Sequence, residues 1–273
     1  IRVAGGASET LTLLQSRHGP VMPPGADLDF SSVTPAGHVV ALAWTALTAE
    51  DRSLDAALAL MRAETLEQGA EAASNHLAPA QNVVMADASG VGMVVAGAVP
   101  LRHPDSPSQG RVPALGWLAN NDWQGMMPPE TLPRALRPRS GAVANANNRT
   151  TNAPFPEHLS FDWAEPYRIR RLAQRIGDRE FHSRESFMEI QNDIVSEMAR
   201  AVLPLIARDL WWGEAPAEDG PVARRRARAL EMLAEWNGSM SEYDPEPLIF
   251  SAWMRALTRR IAADELGTLF ADI

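Results

Sequence analysis

The densest run of hydrogen-bonding amides in this chain is Asn145-Ala146-Asn147-Asn148-Arg149. An asparagine amide donates hydrogen bonds without titrating, so one fixed at the end of a strand can stabilise a developing oxyanion at any pH. Asparagine at a strand end also makes turns, and the run alone carries both readings. Glu189, Asp193 and Glu197 recur at every fourth position. On one helix that spacing stacks carboxylates on one face, as acid/base chemistry needs and as an ordinary solvated face also shows. Arg224-Arg225-Arg226 with Arg228 offers cations to an anion, or simply a charged surface helix. Trp211-Trp212 reads as core or subunit contact ahead of a ligand platform. His18, His38, His76, His103, His158 and His182 form no HExxH and no short-spaced ligand group, so no metal site is expected. The sequence holds no cysteine, which excludes a thiolate nucleophile within it. No GxSxG, Walker loop or GxGxxG after a strand is present.

The elements that must position these groups change character along the chain. Ile1 to Val3 and Thr10 to Leu14, joined by Gly5-Gly6, predict two short strands, and Arg17-His18-Gly19-Pro20-Val21 redirects the second. His38 to Trp44 is a β-prone run; Ser53 to Asn75 follows with apolar residues at helical spacing. Asn82 to Met85 and Val91 to Val99, around Asp87-Ala88-Ser89-Gly90, predict a hairpin. Residues 100 to 140 are proline-rich and carry Trp117 and Trp123, an ordered loop rather than a linker. Gly141 to Asn147 predicts one more strand. Tyr167 to Ile176, Ser183 to Leu210, Val222 to Trp236 and Pro247 to Ala262 predict amphipathic helices, with Ser183 as an N-cap and Asn237-Gly238 as a C-cap. The expected class is α+β: a β-rich part over 1–160 with one helical stretch (about 53–75), and a helical part over 161–273.

The chain of 273 residues is 45% apolar and 22% charged, an ordinary globular composition. Its formal charge of −9 argues against a nucleic-acid partner. No apolar stretch is long enough to span a bilayer. The sequence opens on Ile1 and Val3, alternating as if inside a strand, which predicts a piece of something longer.

Arg17-His18-Gly19-Pro20-Val21, Ala43-Trp44-Thr45, Gln81-Asn82 with Ala86 to Gly90, Gly97 with Pro100 and Arg102, Ser140 to Asn148, and Pro166-Tyr167-Arg168 follow one another along the chain. In that order they resemble the penicillin acylase family of N-terminal-nucleophile (Ntn) hydrolases, which includes cephalosporin and acyl-homoserine lactone acylases. Gln191 to Ser196, Trp236-Asn237-Gly238 and Ser251-Ala252-Trp253 are similar to the helical part of the family's β-subunit. The resemblance covers nearly the whole chain.

The resemblance implies the αββα Ntn core for the hairpins, followed by a helical region. It implies a self-processing precursor whose new N-terminal serine attacks an amide while its own α-amine acts as base. Asn147 matches the oxyanion asparagine, and Arg168 the arginine that orders the network around the nucleophile. Trp44 and Gln81 fall where the acyl pocket is lined. Ile1 cannot be the nucleophile, so the serine, the α-subunit and other parts of the β-subunit are expected partners outside these residues. The isolated segment is expected to be inactive. No cofactor is called for; some members bind a structural calcium, and Glu157 alone does not make that site. The substrate implied is a small N-acyl amide, the location periplasmic or secreted. The alternatives are a non-catalytic binding or scaffolding module that keeps the acylase body, and an unrelated hydrolase using Glu189 and Asp193.

Overall fold

The structure is a computed structural model that describes residues 1–23, 30, 34–211, 220–267 and 270; the side chains of the Trp211-Trp212 pair lie outside what is described. Small antiparallel sheets and helices make an α+β protein, the class expected. The chain divides into two compact units, one of residues 1–145 and 149–163, the other of 146–148 and 164–273.

In the first unit, β1 (Gln15–Ser16) and β2 (Gly19–Pro20) pair across Arg17-His18. The expected strands over 1–3 and 10–14 do not form: residues 1–15 are exposed, and β-prone side chains without a partner strand gain nothing from extension. The run from His38 to Trp44 contributes one bridge, Val21 to Ala41, flanked by Met22 N–H to Val40 O and Leu42 N–H to Pro20 O, each 2.9 Å. The stretch 53–75 is two helices, α1 (Ser53–Leu60) and α2 (Leu66–Ser74). The break arises because Thr65 is extended and its hydroxyl accepts the Gln68 N–H, the geometry of a helix start.

The predicted hairpin is present as β3 (Gln81–Asp87) and β4 (Gly90–Ala96), in unbroken register from Gln81 opposite Ala96 to Asp87 opposite Gly90. Its turn closes on one carboxylate: Asp87 Oδ1 accepts the Ser89 hydroxyl (2.6 Å), the Ser89 N–H (2.7 Å) and the Gly90 N–H (3.1 Å). The proline-rich stretch holds β5 (Pro100–Arg102), β6 (Trp123–Met126) and β7 (Arg134–Leu136); β5 pairs with β6, and β7 adds to the free edge of β4. Ala73 of α2 packs with Val94 and Ala96 against Val83, Met85 and Leu136, which makes this unit's core.

The second unit is helical: α3 (Tyr167–Gly177), α4 (Arg184–Gln191), α5 (Glu197–Trp211), α6 (Pro221–Glu235) and α7 (Glu246–Leu266). Ser183 is the N-cap of α4, as expected. The helix expected over 183–210 is broken between α4 and α5, and Asp193 lies in the connection. At the end of α6 the cap position is Trp236, while Gly238, two residues on, takes the positive φ of 85°. Ala199, Leu203, Leu233 and Phe250 form the core, and the Trp236 and Trp253 rings lie 5.5 and 6.1 Å from that of Phe250.

Two segments singled out by resemblance meet in this unit. Ser196 donates its N–H to Gly238 O (2.8 Å), Met240 donates to Ile194 O (2.9 Å), and Val195 bridges to Ser239.

Candidate functional site

Gly141 to Asn147 is not a strand. The segment is irregular, and Asn147 sits at a left-handed φ of 60°. Asparagine tolerates that conformation better than other residues with a Cβ, and such backbone outliers gather at functional sites. Ala146 donates its N–H to Asn148 Oδ1 (3.0 Å), which tightens the turn, and the Asn147 carbonyl accepts the Ala164 N–H (3.0 Å). In the first unit, Asn82 Nδ2 donates to Asn145 Oδ1 (3.3 Å), so β3 holds the start of the asparagine run.

Arg168 is the second residue of α3 and donates from Nη2 to Asn147 Oδ1 at 3.1 Å. A guanidinium has no acceptor, so it must face the amide oxygen, and this fixes which way the Asn147 amide is turned. The other half of the amide, Nδ2, is a donor only. A cation on Oδ1 draws electrons through the amide and strengthens that donor. Both side chains are exposed. The structure therefore brings Asn147 and Arg168 together, 21 positions apart in sequence.

Trp44, 53% exposed, lines a cavity of about 780 Å³ in the first unit together with Gln15, Arg17, His18, Asp122 and Trp123. Arg17 donates to Asp122 Oδ2 (2.8 Å) and to Gly116 O (2.5 Å), and His18 Nε2 lies 2.8 Å from the same carbonyl. The Arg-His pair and Asp122 thus form one polar wall of that cavity, a grouping that sequence reading missed because its members are 105 positions apart. Gln81 opens β3, is exposed, and is not in the cavity's lining. Trp44 and Gln81 do not share that wall.

The carboxylate row dissolves into ion pairs. Glu189 is held by Arg179, Asp193 by Arg171 and Arg175, and Glu197 by Arg171 and Arg200. The hydrogen bonds from Arg171 hold the Asp193 carboxyl below its ordinary range, against the opposing effect of its partial burial. A carboxylate kept ionised in this way is poorly suited to give up a proton as a general acid. Among the described residues no three His, Asp or Glu side chains gather to hold a metal ion, and Glu157 has no such companions.

A family model described as penicillin amidase matches residues 1–273. The acyl-homoserine lactone acylase QuiP of Pseudomonas aeruginosa is 29% identical over 260 residues, covering 93% of this chain and 30% of that protein. The penicillin acylase 2 proenzyme of Pseudomonas sp. strain SE83 is 28% identical over 267 residues, covering 96% of this chain and 32% of that one. This chain thus spans about a third of the length of such relatives. The solved structure of a thermostable penicillin G acylase from Alcaligenes faecalis matches with a TM-score of 0.72 at 23% identity, covering 99% of this chain and 47% of that chain. The likeness shows that this chain shares the fold of part of that acylase.

Proposed function

Because this chain belongs to the penicillin amidase family, we propose that it is a segment of an Ntn amidohydrolase whose full-length form cleaves a small N-acyl amide. In this reading the attacking group is a serine at the N-terminus of the β-subunit, outside these residues. Its hydroxyl adds to the amide carbonyl while its α-amine takes the proton, and a free α-amine has a pKa of about 8. The negative oxygen of the tetrahedral intermediate accepts a hydrogen bond from Asn147 Nδ2. The intermediate expels the amine, protonated by the same α-amine, and water then hydrolyses the acyl-enzyme. Arg168 holds the Asn147 amide in orientation and, if it also lies beside the nucleophile's amine, disfavours that amine's charged form and keeps it neutral, ready to take the proton.

Residues 1–160 are then the β-rich part of the β-subunit and 161–273 its helical part. The α-subunit and the remaining β-subunit segments complete the site. Trp44 and Gln81 contribute to the acyl pocket, a role the 780 Å³ cavity supports for Trp44. The leaving amine is a β-lactam nucleus, a homoserine lactone or a similar amine, the range spanned by the relatives' names. Maturation takes place in the periplasm or outside the cell. Among the described residues no helix is long and apolar enough to cross a membrane.

The observation that carries this reading is the hydrogen bond from Arg168 to the oxygen of the left-handed Asn147. The test is to assay the full-length protein on a panel of N-acyl amides and N-acyl-homoserine lactones. Replacing Asn147 by Ala is expected to lower kcat by roughly a hundredfold or more, the cost of losing one oxyanion donor. An unchanged kcat would return Asn147 to turn formation. No turnover of any substrate by the unaltered full-length protein would favour the non-catalytic module. The isolated segment of 273 residues is expected to show none.

A further inference from the structure

The helix that carries Arg168 is weakly held by its own means. Pro166 at its N-cap makes no side-chain cap bond, and none of its residues is fully buried. Arg168 lies in the unsupported first turn, where a helix frays most readily.

One turn further along, Arg171 is clamped. It donates from Nε to Asp193 Oδ1 (2.9 Å) and from Nη2 to Asp193 Oδ2 (2.6 Å), with the two side chains only 16% and 12% exposed. Paired bonds from a guanidinium to a carboxylate fix angle as well as distance. Glu197 lies 3.4 Å from Arg171 Nη1, and Arg175 Nε lies 3.3 Å from Asp193 Oδ2.

Asp193 is itself anchored. Its Oδ1 also accepts the Val195 N–H (3.2 Å). The connection it occupies is tied to the Gly238 region by the Ser196 and Met240 backbone bonds and leads into α5, where Ser196 Oγ accepts the Ala199 N–H at 3.1 Å. An anchored carboxylate thus grips a helix none of whose residues is fully buried.

We propose that Asp193 is a positioning residue, which sets α3 through Arg171 and so sets Arg168 against the oxygen of Asn147. The proposal rests on the oxyanion reading above, because it gives Asp193 its role through the Arg168–Asn147 contact. In this role the carboxylate contributes to the rate while touching neither substrate nor nucleophile.

The test uses the full-length protein and a chromogenic N-acyl amide, with activity referred to the folded fraction. Asp193→Asn keeps the shape and loses the charge. It is expected to lower kcat by about ten- to a hundredfold, the scale of a misplacement transmitted to a reacting group, with KM changed less than about twofold. Asp193→Glu should recover part of the loss. Glu189→Gln, which breaks only the exposed Arg179 pair, should leave kcat unchanged. In an Arg168→Ala background Asp193→Asn should cost little more, because both act through one contact. A normal kcat for Asp193→Asn, or losses that multiply with Arg168→Ala, would overturn the proposal. If Asp193→Asn does not fold, Arg171→Lys, which keeps the charge and loses the paired bonds to Asp193, is judged by the same criteria. Failure of the oxyanion reading shows separately, as a normal kcat for Asn147→Ala.

Discussion

The two units differ in what fills their cores. In the first, the sheet cluster buries small side chains, Ala73, Val94 and Ala96, and the largest fully buried side chain is Leu66 at 1% exposed. At Gly97, φ is +136° and an added Cβ would stand 2.7 Å from the Cα of Ala80. In the second, one large ring fills the space between helices, since Phe250 is 2% exposed and has Trp236 and Trp253 about it. At Gly97 the first unit has no room for an added methyl group, and the second has no substitute for its largest side chain. Deletion should therefore hurt the helical unit most, and addition the sheet unit.

The largest effect expected on stability is that of Phe250→Ala, about 3–5 kcal/mol, the usual cost of an aromatic-to-alanine cavity. Urea unfolding followed by tryptophan fluorescence reads it directly, because two tryptophans flank the site. Gly97→Ala is expected to cost about 1–3 kcal/mol, from overpacking and from a backbone angle that residues with a Cβ avoid. If Gly97→Ala were neutral, the contrast between the cores would fail.

The contrast also explains what could be read from sequence. The hairpin over β3 and β4 was legible because Asp87, Ser89 and Gly90 close its turn within four residues. Ser183 was legible as a cap for the same reason, since its partner Ser186 is one turn away. The strands expected at 1–3, 10–14 and 141–147 do not form, because extended structure depends on a partner that local propensity cannot supply. The stretch 53–75 was read as one helix because its apolar spacing continues through Thr65, whose capping role appears only in the backbone geometry. For the site, the Asn147 and Arg168 candidates came from resemblance, and their hydrogen bond spans 21 positions. The clamp of Arg171 by Asp193, 22 positions apart, had no local signal; the spacing of Glu189, Asp193 and Glu197 pointed instead to a shared helix face that does not exist.

A smaller effect should appear in the first unit as pH falls. Asp87 in the first unit has its carboxyl pulled down to about 2, chiefly by the Ser89 hydroxyl, then by the Leu66 and Ser89 N–H groups and by Arg137. An unperturbed aspartate titrates at about 3.9. A folded-state value below the unfolded one adds stability that is complete above about pH 4 and is lost as pH falls toward 2. Asp87→Asn should therefore be less stable than the parent at pH 6, with the gap closing between pH 4 and pH 2. Urea melts at pH 6, 4 and 2.5 test this. A gap that stayed constant would mean that Asp87 contributes shape and not charge.

The smallest effects concern helix starts, where the units again differ in how support is shared. At α4 the reciprocal bonds lie between two residues: Ser186 N–H to Ser183 Oγ (3.2 Å) and Ser183 N–H to Ser186 Oγ (2.9 Å). At α2 the load is divided. Thr65 accepts only the Gln68 N–H (3.2 Å), Asp87 accepts the Leu66 N–H (2.9 Å), and Gln68 Oε1 accepts the Glu64 N–H (2.8 Å). Ser183→Ala removes one half of a two-residue box and should cost about 1 kcal/mol, the typical loss for a cap. Thr65→Ala leaves the other two bonds in place and should cost about half as much. Amide exchange in the first turn of each helix measures both. Equal protection losses would show that neighbouring bonds do not share the work of the cap, and the difference between the two helix starts would disappear.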